Sequence, residues 1–282
     1  MQRKYTEITV IGKDKKGVIA RFTMFLFENG INIEDLDQNV IKGMFSMTLH
    51  ADTTSIRITK EEFIKGIERI GNDLQMDVRV RFPGEKRKPA MAILATKEPH
   101  CLNTLLDAWK NKEIDIEIPC ILSNKNELKN LAYKANIPFF VFDAKDQHDN
   151  EIEMLKKLDE FEIDFITLAR YMKILSPDFV WRYENRIINI HPSLLPAFPG
   201  SQAYRQALEK GVRIAGVTAH FVTMDLDQGP IIVQESFRIN KEMQLSDIVA
   251  KGQELESKAL LKATKLYLKN RLKVHWGKVY EL

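Results

Sequence analysis

Hydrophobic and polar residues follow two different rhythms along the chain. In the first part, runs such as TEITVI, GMFSMTLHAD and DVRVRF alternate, as strands with one buried face do. Two apolar helix faces lie between them, formed by Val18, Ile19, Phe22, Phe25 and Leu26 and by Phe63, Ile64, Ile67, Ile70 and Leu74. With the strand-like run INIEDLDQNV, the pattern predicts the order βαββαβ, which is typical of ferredoxin-like folds.

From Pro89 onward, short apolar runs are separated by segments of helix length. The runs are AMAILAT, IEIPCIL, IPFFVF, DFITLA and RIINIH. Because both faces of each run are apolar, we expect parallel strands covered by helices, with a ligand site outside their carboxyl ends. The sequence therefore predicts an α/β protein with two domains, residues 1–83 and 90–282, joined by a polar linker at 84–89.

Composition narrows the function classes. The 282 residues include 44% hydrophobic and 29% charged residues, with a net charge of +3 and no dense basic block, so we expect no nucleic-acid partner. No apolar run approaches the ~18 residues of a membrane span, and the N-terminal segment lacks a signal-peptide core. Cys101 and Cys120 have no metal-ligand spacing. We expect a cytoplasmic protein with reduced thiols and no metal.

Polar groups gather around the run RIINIHPSLLPAFPG. Asn189 and His191 stand at i and i+2 of a strand, so both point to one face. The later stretch TAHFVTMDLDQGPIIVQ places His220 on a strand and Asp225 and Asp227 in the following loop. An amide, an imidazole and a carboxylate together could perform acyl or formyl transfer. The spacing alone leaves a structural role open, with the aspartates as turn residues.

NIHPSLLPAFPG joined to GVTAHFVTMDLDQGPIIVQ resembles the folate-dependent formyltransferase family. The resemblance implies a formyltetrahydrofolate site at the carboxyl edge of a Rossmann-like sheet. It assigns the catalytic roles to Asn189, His191 and Asp227. Formyltetrahydrofolate would be a substrate, and no cofactor is implied.

Further segments of the family pattern suggest residues that hold the folate. ARYMKILSP resembles the segment whose backbone helps to hold the pterin, which implies Met172, Lys173 and Leu175. The loop from Thr223 through Met224 and Asp225 to Asp227 would close over the same ring. His220 and His100 are additional candidates for the pocket, although a structural role for His220 stays open.

Two branches of the family share this core: glycinamide ribonucleotide formyltransferases and formyltetrahydrofolate deformylases. The first carries a Gly-Ser-Asn phosphate loop where this chain has ATKEPHCLNTLL, and ITVIGKDKKGVIARFTMFLFENGINI resembles the ACT domain that precedes the core in the second. The resemblance thus implies hydrolysis to formate and tetrahydrofolate, in one-carbon and purine metabolism. Pro192 stands where deformylases typically have a second histidine, which leaves the transferase as an alternative.

The ACT-like domain suggests a regulatory role. Such domains bind small ligands, often amino acids, between paired domains, and we expect a homo-oligomer. A ligand would meet the turns that contain Gly17, Asn29, Gly30 and Asn32. A dimerisation domain without a ligand is the alternative, and a regulatory folate- or amino-acid-binding protein without catalytic activity is a further one.

Overall fold

The computed structural model describes residues 5–41, 43–82, 88–200, 202–269, 271–275 and 277–281. The chain divides into two compact units, Met1–Arg87 and Lys88–Leu282. Positions 84–87 of the predicted linker lie outside the described residues.

The first unit is a four-stranded antiparallel sheet with two helices. Its strands are ordered β2-β3-β1-β4. The predicted order βαββαβ is confirmed, with β1 at Tyr5–Lys13, α1 at Val18–Glu28, β2 at Asn32–Ile41, β3 at Met44–Asp52, α2 at Lys60–Leu74 and β4 at Asp77–Arg81.

Both helices of this unit bury one face, as their spacing predicts. Val18, Phe22 and Leu26 of α1 are buried, whereas Ile19 is exposed because the next residue points about 100° around the helix. Helix α2 begins at a capping box, in which the side chain of Thr59 and that of Glu62 each accept the other's backbone N–H. Amphipathic spacing therefore accounts for both helices, and local capping accounts for the start of α2.

The second unit is built on a seven-stranded sheet with the order β11-β10-β9-β8-β5-β6-β7. Strands β7, β6, β5, β8 and β9 are parallel, while β10 and β11 run antiparallel to their neighbours. The strands are β5 Ala90–Ala95, β6 Glu117–Ser123, β7 Phe139–Val141, β8 Phe165–Ala169, β9 Ile187–His191, β10 Ile214–Phe221 and β11 Ile231–Arg238.

The helices of the second unit cover the sheet. They are α3 His100–Lys110, α4 Lys129–Lys134, α5 Gln147–Glu160, α6 Pro177–Arg182, α7 Ala203–Glu209 and α8 Leu245–Leu268. Every residue of β5 is buried, as expected for a strand with apolar faces on both sides. In the part of the chain that the structure describes, no helix is both long and apolar enough to cross a membrane.

The strand order creates a crevice at one edge of the sheet. The chain runs from β5 outward through β6 and β7, then returns to the other side of β5 to form β8 and β9. The loops after β5 and β8 therefore diverge at the carboxyl edge, which is where ligands bind in open α/β sheets. The antiparallel strand β10 brings His220 opposite Asn189 at this edge.

The C-terminal segment forms a hairpin that the hydrophobic pattern did not predict. Strands β12 (Leu272–His275) and β13 (Lys278–Glu281) pair with each other in a separate sheet. Four residues are too few to establish a clear alternation, so sequence periodicity carries little signal for such strands.

Candidate active site

Asn189 and His191 lie at the carboxyl end of β9 and line one cavity. Because they stand two residues apart on a strand, both side chains project from the same face. The cavity has a volume of about 340 Å³. The sequence-based placement of this pair at a ligand-sized crevice therefore agrees with the fold.

The imidazole of His191 is buried between two acceptors. Its Nε2 lies 3.0 Å from the carbonyl oxygen of Phe198, and its Nδ1 lies 3.3 Å from Oδ2 of Asp227. The ring orientation is thus fixed by the loop after β9 on one side and by the loop after β10 on the other. Both ring nitrogens are thus engaged, so this imidazole can donate to a ligand through Nε2 only when the ligand replaces the carbonyl of Phe198.

Asp227 approaches His191 from the loop between β10 and β11. Its backbone is left-handed, with φ of 55°, and its Oδ2 accepts a 2.9 Å hydrogen bond from the N–H of Gly200. Burial alone would raise the pKa of Asp227, but the hydrogen bonds from His191 and Gly200 outweigh it and lower that pKa. The carboxylate is therefore ionised at neutral pH and beside the cavity.

His220 also reaches the site. Its Nε2 lies 3.2 Å from Nδ2 of Asn189 and 4.0 Å from Oδ1 of Asp227, and its Nδ1 lies 2.8 Å from the carbonyl oxygen of Phe221. Burial lowers the pKa of His220 and outweighs the opposing effects of Phe221 and Asp227. The pocket candidate His220 is thus a neutral group in contact with Asn189.

A buried hydroxyl anchors the proline-rich loop that follows β9. Oγ1 of Thr218 accepts hydrogen bonds from the N–H of Leu195 at 3.0 Å and from Nε2 of Gln234 at 3.0 Å, and donates to the carbonyl of Ser193 at 2.7 Å. Ser193 itself donates to the carbonyl of Ala197 at 2.5 Å, so its hydroxyl supports the turn. These contacts hold the loop that carries Phe198 and Gly200.

Another wall of the cavity is the segment 170–175, which is anchored at several points. The N–H of Met172 donates to Oγ1 of Thr96 at 3.0 Å, and the N–H of Ser176 donates to the buried carboxylate of Glu151 at 3.0 Å. Gln147 donates to the carbonyl of Ile174. The wall is therefore held by the residue that follows β5 and by α5.

Most of the proposed folate-binding residues line this cavity, including Met172, Lys173, Leu175, Thr223 and Met224. Asp225 does not line the cavity. It is exposed, and its carbonyl accepts hydrogen bonds from Thr223 and Gln228. Asp225 is thus a turn residue, which was the alternative role that the sequence analysis left open for it. The lining also includes residues that the sequence analysis did not name, namely Leu168, Arg170, Tyr171, Ile174, Ile190, Gly200, Gln202, Val222 and Leu226.

His100 does not line the cavity, contrary to expectation, because a buried carboxylate holds it elsewhere. Its Nε2 lies 2.9 Å from Oε2 of Glu256, whose side chain is 1% exposed. Glu256 also accepts a 2.7 Å hydrogen bond from the hydroxyl of Tyr204 and lies 3.4 Å from Nε of Arg170. Burial would raise the pKa of Glu256, but these partners lower it overall. The network ties α8 to α3, α7 and the cavity wall.

Three potential metal ligands fall within this network. The donor atoms of His100, Cys101 and Glu256 lie within 4.8 Å of one another. However, both oxygens of Glu256 already have partners, and the cation of Arg170 lies beside it. Burial also raises the pKa of the Cys101 thiol well above its ordinary range, which disfavours the thiolate that binds metal. This donor set fits an internal ion pair better than a metal centre.

The four candidate ligand residues of the first unit are not gathered at one point. Gly17 precedes α1, whereas Asn29, Gly30 and Asn32 follow it, and the 11 residues of α1 separate them by about 16 Å. The amide of Asn29 donates to the carbonyl of Phe25 at 2.7 Å, and that of Asn32 donates to Glu34 at 3.1 Å. Within one subunit, a single small ligand cannot contact both groups.

Comparisons with known proteins match both units. Residues 5–81 match the ACT domain family, and residues 90–264 match the formyl transferase family. A formyltetrahydrofolate deformylase of Synechocystis sp. is 34% identical over 279 residues, which are 98% of this chain and 97% of that relative.

Solved structures of deformylases and of transformylases are both similar to this chain, but over different shares of its length. The crystal structure of a formyltetrahydrofolate deformylase from Pseudomonas syringae pv. tomato is similar with a TM-score of 0.68 and 28% identity, covering 100% of this chain and 95% of that one. The crystal structure of a glycinamide ribonucleotide transformylase from Symbiobacterium toebii is similar with a TM-score of 0.67 and 29% identity. That match covers 70% of this chain and 96% of the transformylase chain.

We expect Glu256→Gln to destabilise the second unit, because Arg170 and His100 would lose their buried anion. Removing one partner of a buried ion pair costs about 3 kcal/mol. The pKa of Glu256 is lowered by folding, so its contribution is complete above its unfolded value of about 4.3 and is lost as pH falls through the lower folded value. Urea unfolding should therefore show that the difference in unfolding free energy between wild type and Glu256→Gln shrinks as the pH is lowered from neutral to acid. Glu254→Gln, which breaks only an exposed pair with Lys258, is the control; equal effects of both substitutions would contradict the prediction.

Gly229→Ala should displace the loop that carries Asp227. A Cβ at this position would lie 1.7 Å from the carbonyl oxygen of Phe221, a backbone atom that cannot rotate away. We expect a loss of about 3 kcal/mol in unfolding free energy and a fall in turnover of about 100-fold, since a shift of ~1 Å can cost that much. Thermal unfolding and turnover would be measured beside Gln228→Ala, an exposed neighbour. Unchanged turnover in Gly229→Ala would contradict this view of the loop.

Proposed function

We propose that this chain, which belongs to the formyltetrahydrofolate deformylase family, hydrolyses its formylated folate in the cavity beside Asn189, His191 and Asp227. The products are formate and tetrahydrofolate, and the bond broken is a formamide C–N bond. One observation carries the proposal: an amide, an imidazole and an ionised carboxylate meet at one wall of a cavity. That arrangement supplies an oxyanion donor, a proton carrier and a base.

The proposed reaction begins with the formyl oxygen facing Asn189 and His191. A water molecule held by Asp227 attacks the formyl carbon, forming a C–O bond and a tetrahedral oxyanion that the amide of Asn189 stabilises. Nε2–H of His191 can join that amide once it turns from the carbonyl of Phe198 to the oxyanion. The proton released by the water passes through the His191–Asp227 pair to the folate nitrogen as the C–N bond breaks. Each step of this mechanism is assigned to a side chain.

The rim of the cavity supports a flat, largely apolar ligand. Met172, Ile174 and Leu226 are 54%, 64% and 50% exposed although they are apolar. Exposed apolar groups that surround a cavity commonly mark a binding site. We place the pterin ring between the segment 170–175 and the loop 223–227, which supply these three side chains.

The loop after β5 supports water rather than an amine nucleotide as the acceptor. It contains Glu98 and Pro99 directly before α3. A carboxylate at the start of a helix repels a phosphate, and proline lacks the N–H that would bind one. The match to deformylases over nearly the full chain supports the same acceptor, although Pro192 follows the transferase pattern.

The ACT domain supports a second part of the proposal. Met24 and Phe27 of α1 are 56% and 77% exposed, which would suit pairing of ACT domains in a homo-oligomer. An amino-acid effector would bind at such a junction, near Gly30 and Asn32. Cys101 and Cys120 are free thiols, which supports a cytoplasmic location.

The assay that tests this function follows formate and tetrahydrofolate after adding formyltetrahydrofolate, with and without glycinamide ribonucleotide. We expect both products in equal amounts and no effect of the ribonucleotide, because Glu98 and Pro99 at the start of α3 disfavour its phosphate. Tetrahydrofolate formed only with the ribonucleotide, and without formate, would instead indicate a transferase. Absence of turnover under both conditions would favour a non-catalytic regulatory protein.

Asn189→Ala and His191→Ala should each lower turnover by ~100- to 1000-fold, the usual loss for one oxyanion donor. Circular dichroism and folate binding would establish that both variants are folded. His148→Ala, an exposed histidine on α5 outside the cavity, serves as the control and should keep full turnover. Near-native turnover in either cavity variant would remove that residue from the mechanism.

A further inference from the structure

We propose that His220 is a positioning residue, whose neutral imidazole accepts one N–H of the Asn189 amide and so presents the other N–H to the formyl oxygen. The inference deepens the proposed function and rests on it for the role of Asn189. His220 would act through Asn189, without contacting the substrate.

The carbonyl oxygen of Phe221 determines the direction of both hydrogen bonds of the His220 ring. The carbonyl oxygen of Phe221 can only accept, so Nδ1 of His220, at 2.8 Å, must carry a proton. A neutral ring then has no proton on Nε2, which becomes an acceptor. Nδ2 of Asn189 lies 3.2 Å from that nitrogen and donates to it. The backbone carbonyl thereby determines which end of the amide faces His220.

The strand register makes this contact possible. Asn189 and His220 are cross-strand neighbours in the antiparallel pair β9–β10, where opposite side chains lie close together. An amide nitrogen has two hydrogens, and His220 accepts only one. The second N–H remains for the cavity, which Asn189 lines. Without an acceptor at His220, the amide could turn its oxygen toward the developing oxyanion and destabilise it.

The surroundings of His220 keep its ring neutral. It is buried, and on β9 its titratable neighbour is His191, while the loop after β10 contributes Asp227 at 4.0 Å. On β11 it pairs with the apolar Ile231. Burial is the largest influence and lowers the pKa of His220, and the charge of His191 acts in the same direction. The proton on Nε2 is therefore absent at neutral pH.

Protonation of His220 would reverse the arrangement. A proton on Nε2 would require Asn189 to turn its carbonyl oxygen toward the ring, and the cavity would lose its donor. Turnover should thus fall on acidification with a pKa below the ordinary histidine value of about 6.5. Asp227 cannot produce this effect in the same range, because its pKa lies below that of an ordinary aspartate.

The test compares His220→Gln, which keeps an acceptor oxygen, with His220→Leu, which does not. We expect the leucine variant to lose ~100-fold in kcat with little change in KM, the cost of one misdirected donor. The glutamine variant should stay within about tenfold of wild type. It should lose the part of the acid limb that His220 causes and keep any part that His191 causes. Near-native kcat in His220→Leu would overturn the proposal. If the leucine variant does not fold, a proton on Nε2 of His220 in the wild-type protein at neutral pH, detected by nitrogen NMR, would do so.

A double-mutant cycle separates positioning from direct participation. Because His220 acts through Asn189, His220→Leu should cause no further loss of turnover in an Asn189→Ala background. Equal losses in both backgrounds would mean that His220 acts on its own and would overturn the proposal.

A readout without turnover keeps the two proposals distinguishable. Nitrogen NMR of the wild-type protein with labelled histidine should find His220 neutral with its proton on Nδ1. A proton on Nε2 at neutral pH would refute the positioning role even in an active enzyme. Failure of the wild type to release formate would instead refute the proposed hydrolysis, whatever the tautomer.

Discussion

The charge of the Asp227 carboxylate is the constraint on which the catalytic unit depends. A buried carboxylate is costly unless hydrogen bonds and an opposite charge compensate it. Here the N–H of Gly200 and the imidazole of His191 provide that compensation. His191 ends β9 and Gly200 lies in the loop after it, whereas Asp227 comes from the loop after β10. The carboxylate therefore joins that second loop to the proline-rich turn, which Thr218 holds in place.

A second buried carboxylate stabilises the other side of the cavity. Glu256 holds Arg170, which begins the cavity wall, and also fixes His100 and Tyr204. The two carboxylates are compensated differently. Glu256 is enclosed by its partners, while Asp227 lies at the cavity surface, where a water molecule could reach it. Similar electrostatic stabilisation therefore serves structure in one case and, in the proposed mechanism, chemistry in the other.

Features set by neighbouring residues could be predicted from the sequence, while those set by distant partners could not. The buried strands and the shared face of Asn189 and His191 follow from periodicity alone. Periodicity does not distinguish Asp225 from Asp227, and only the resemblance to the family assigned the catalytic role to Asp227. The distinction depends on the left-handed backbone of Asp227 and on the distant N–H of Gly200. His100 was misplaced for the same reason: its partner Glu256 lies 156 residues away.

Attack by water at the wall formed by Asn189, His191 and Asp227 is the central claim, and an isotope experiment tests it most directly. A single turnover of formyltetrahydrofolate in 18O-labelled water should give formate that carries one labelled oxygen, together with tetrahydrofolate. The Asp227→Asn variant should give neither product at a comparable rate. Unlabelled formyl groups recovered on an amine, or labelled formate formed equally fast by Asp227→Asn, would contradict the account.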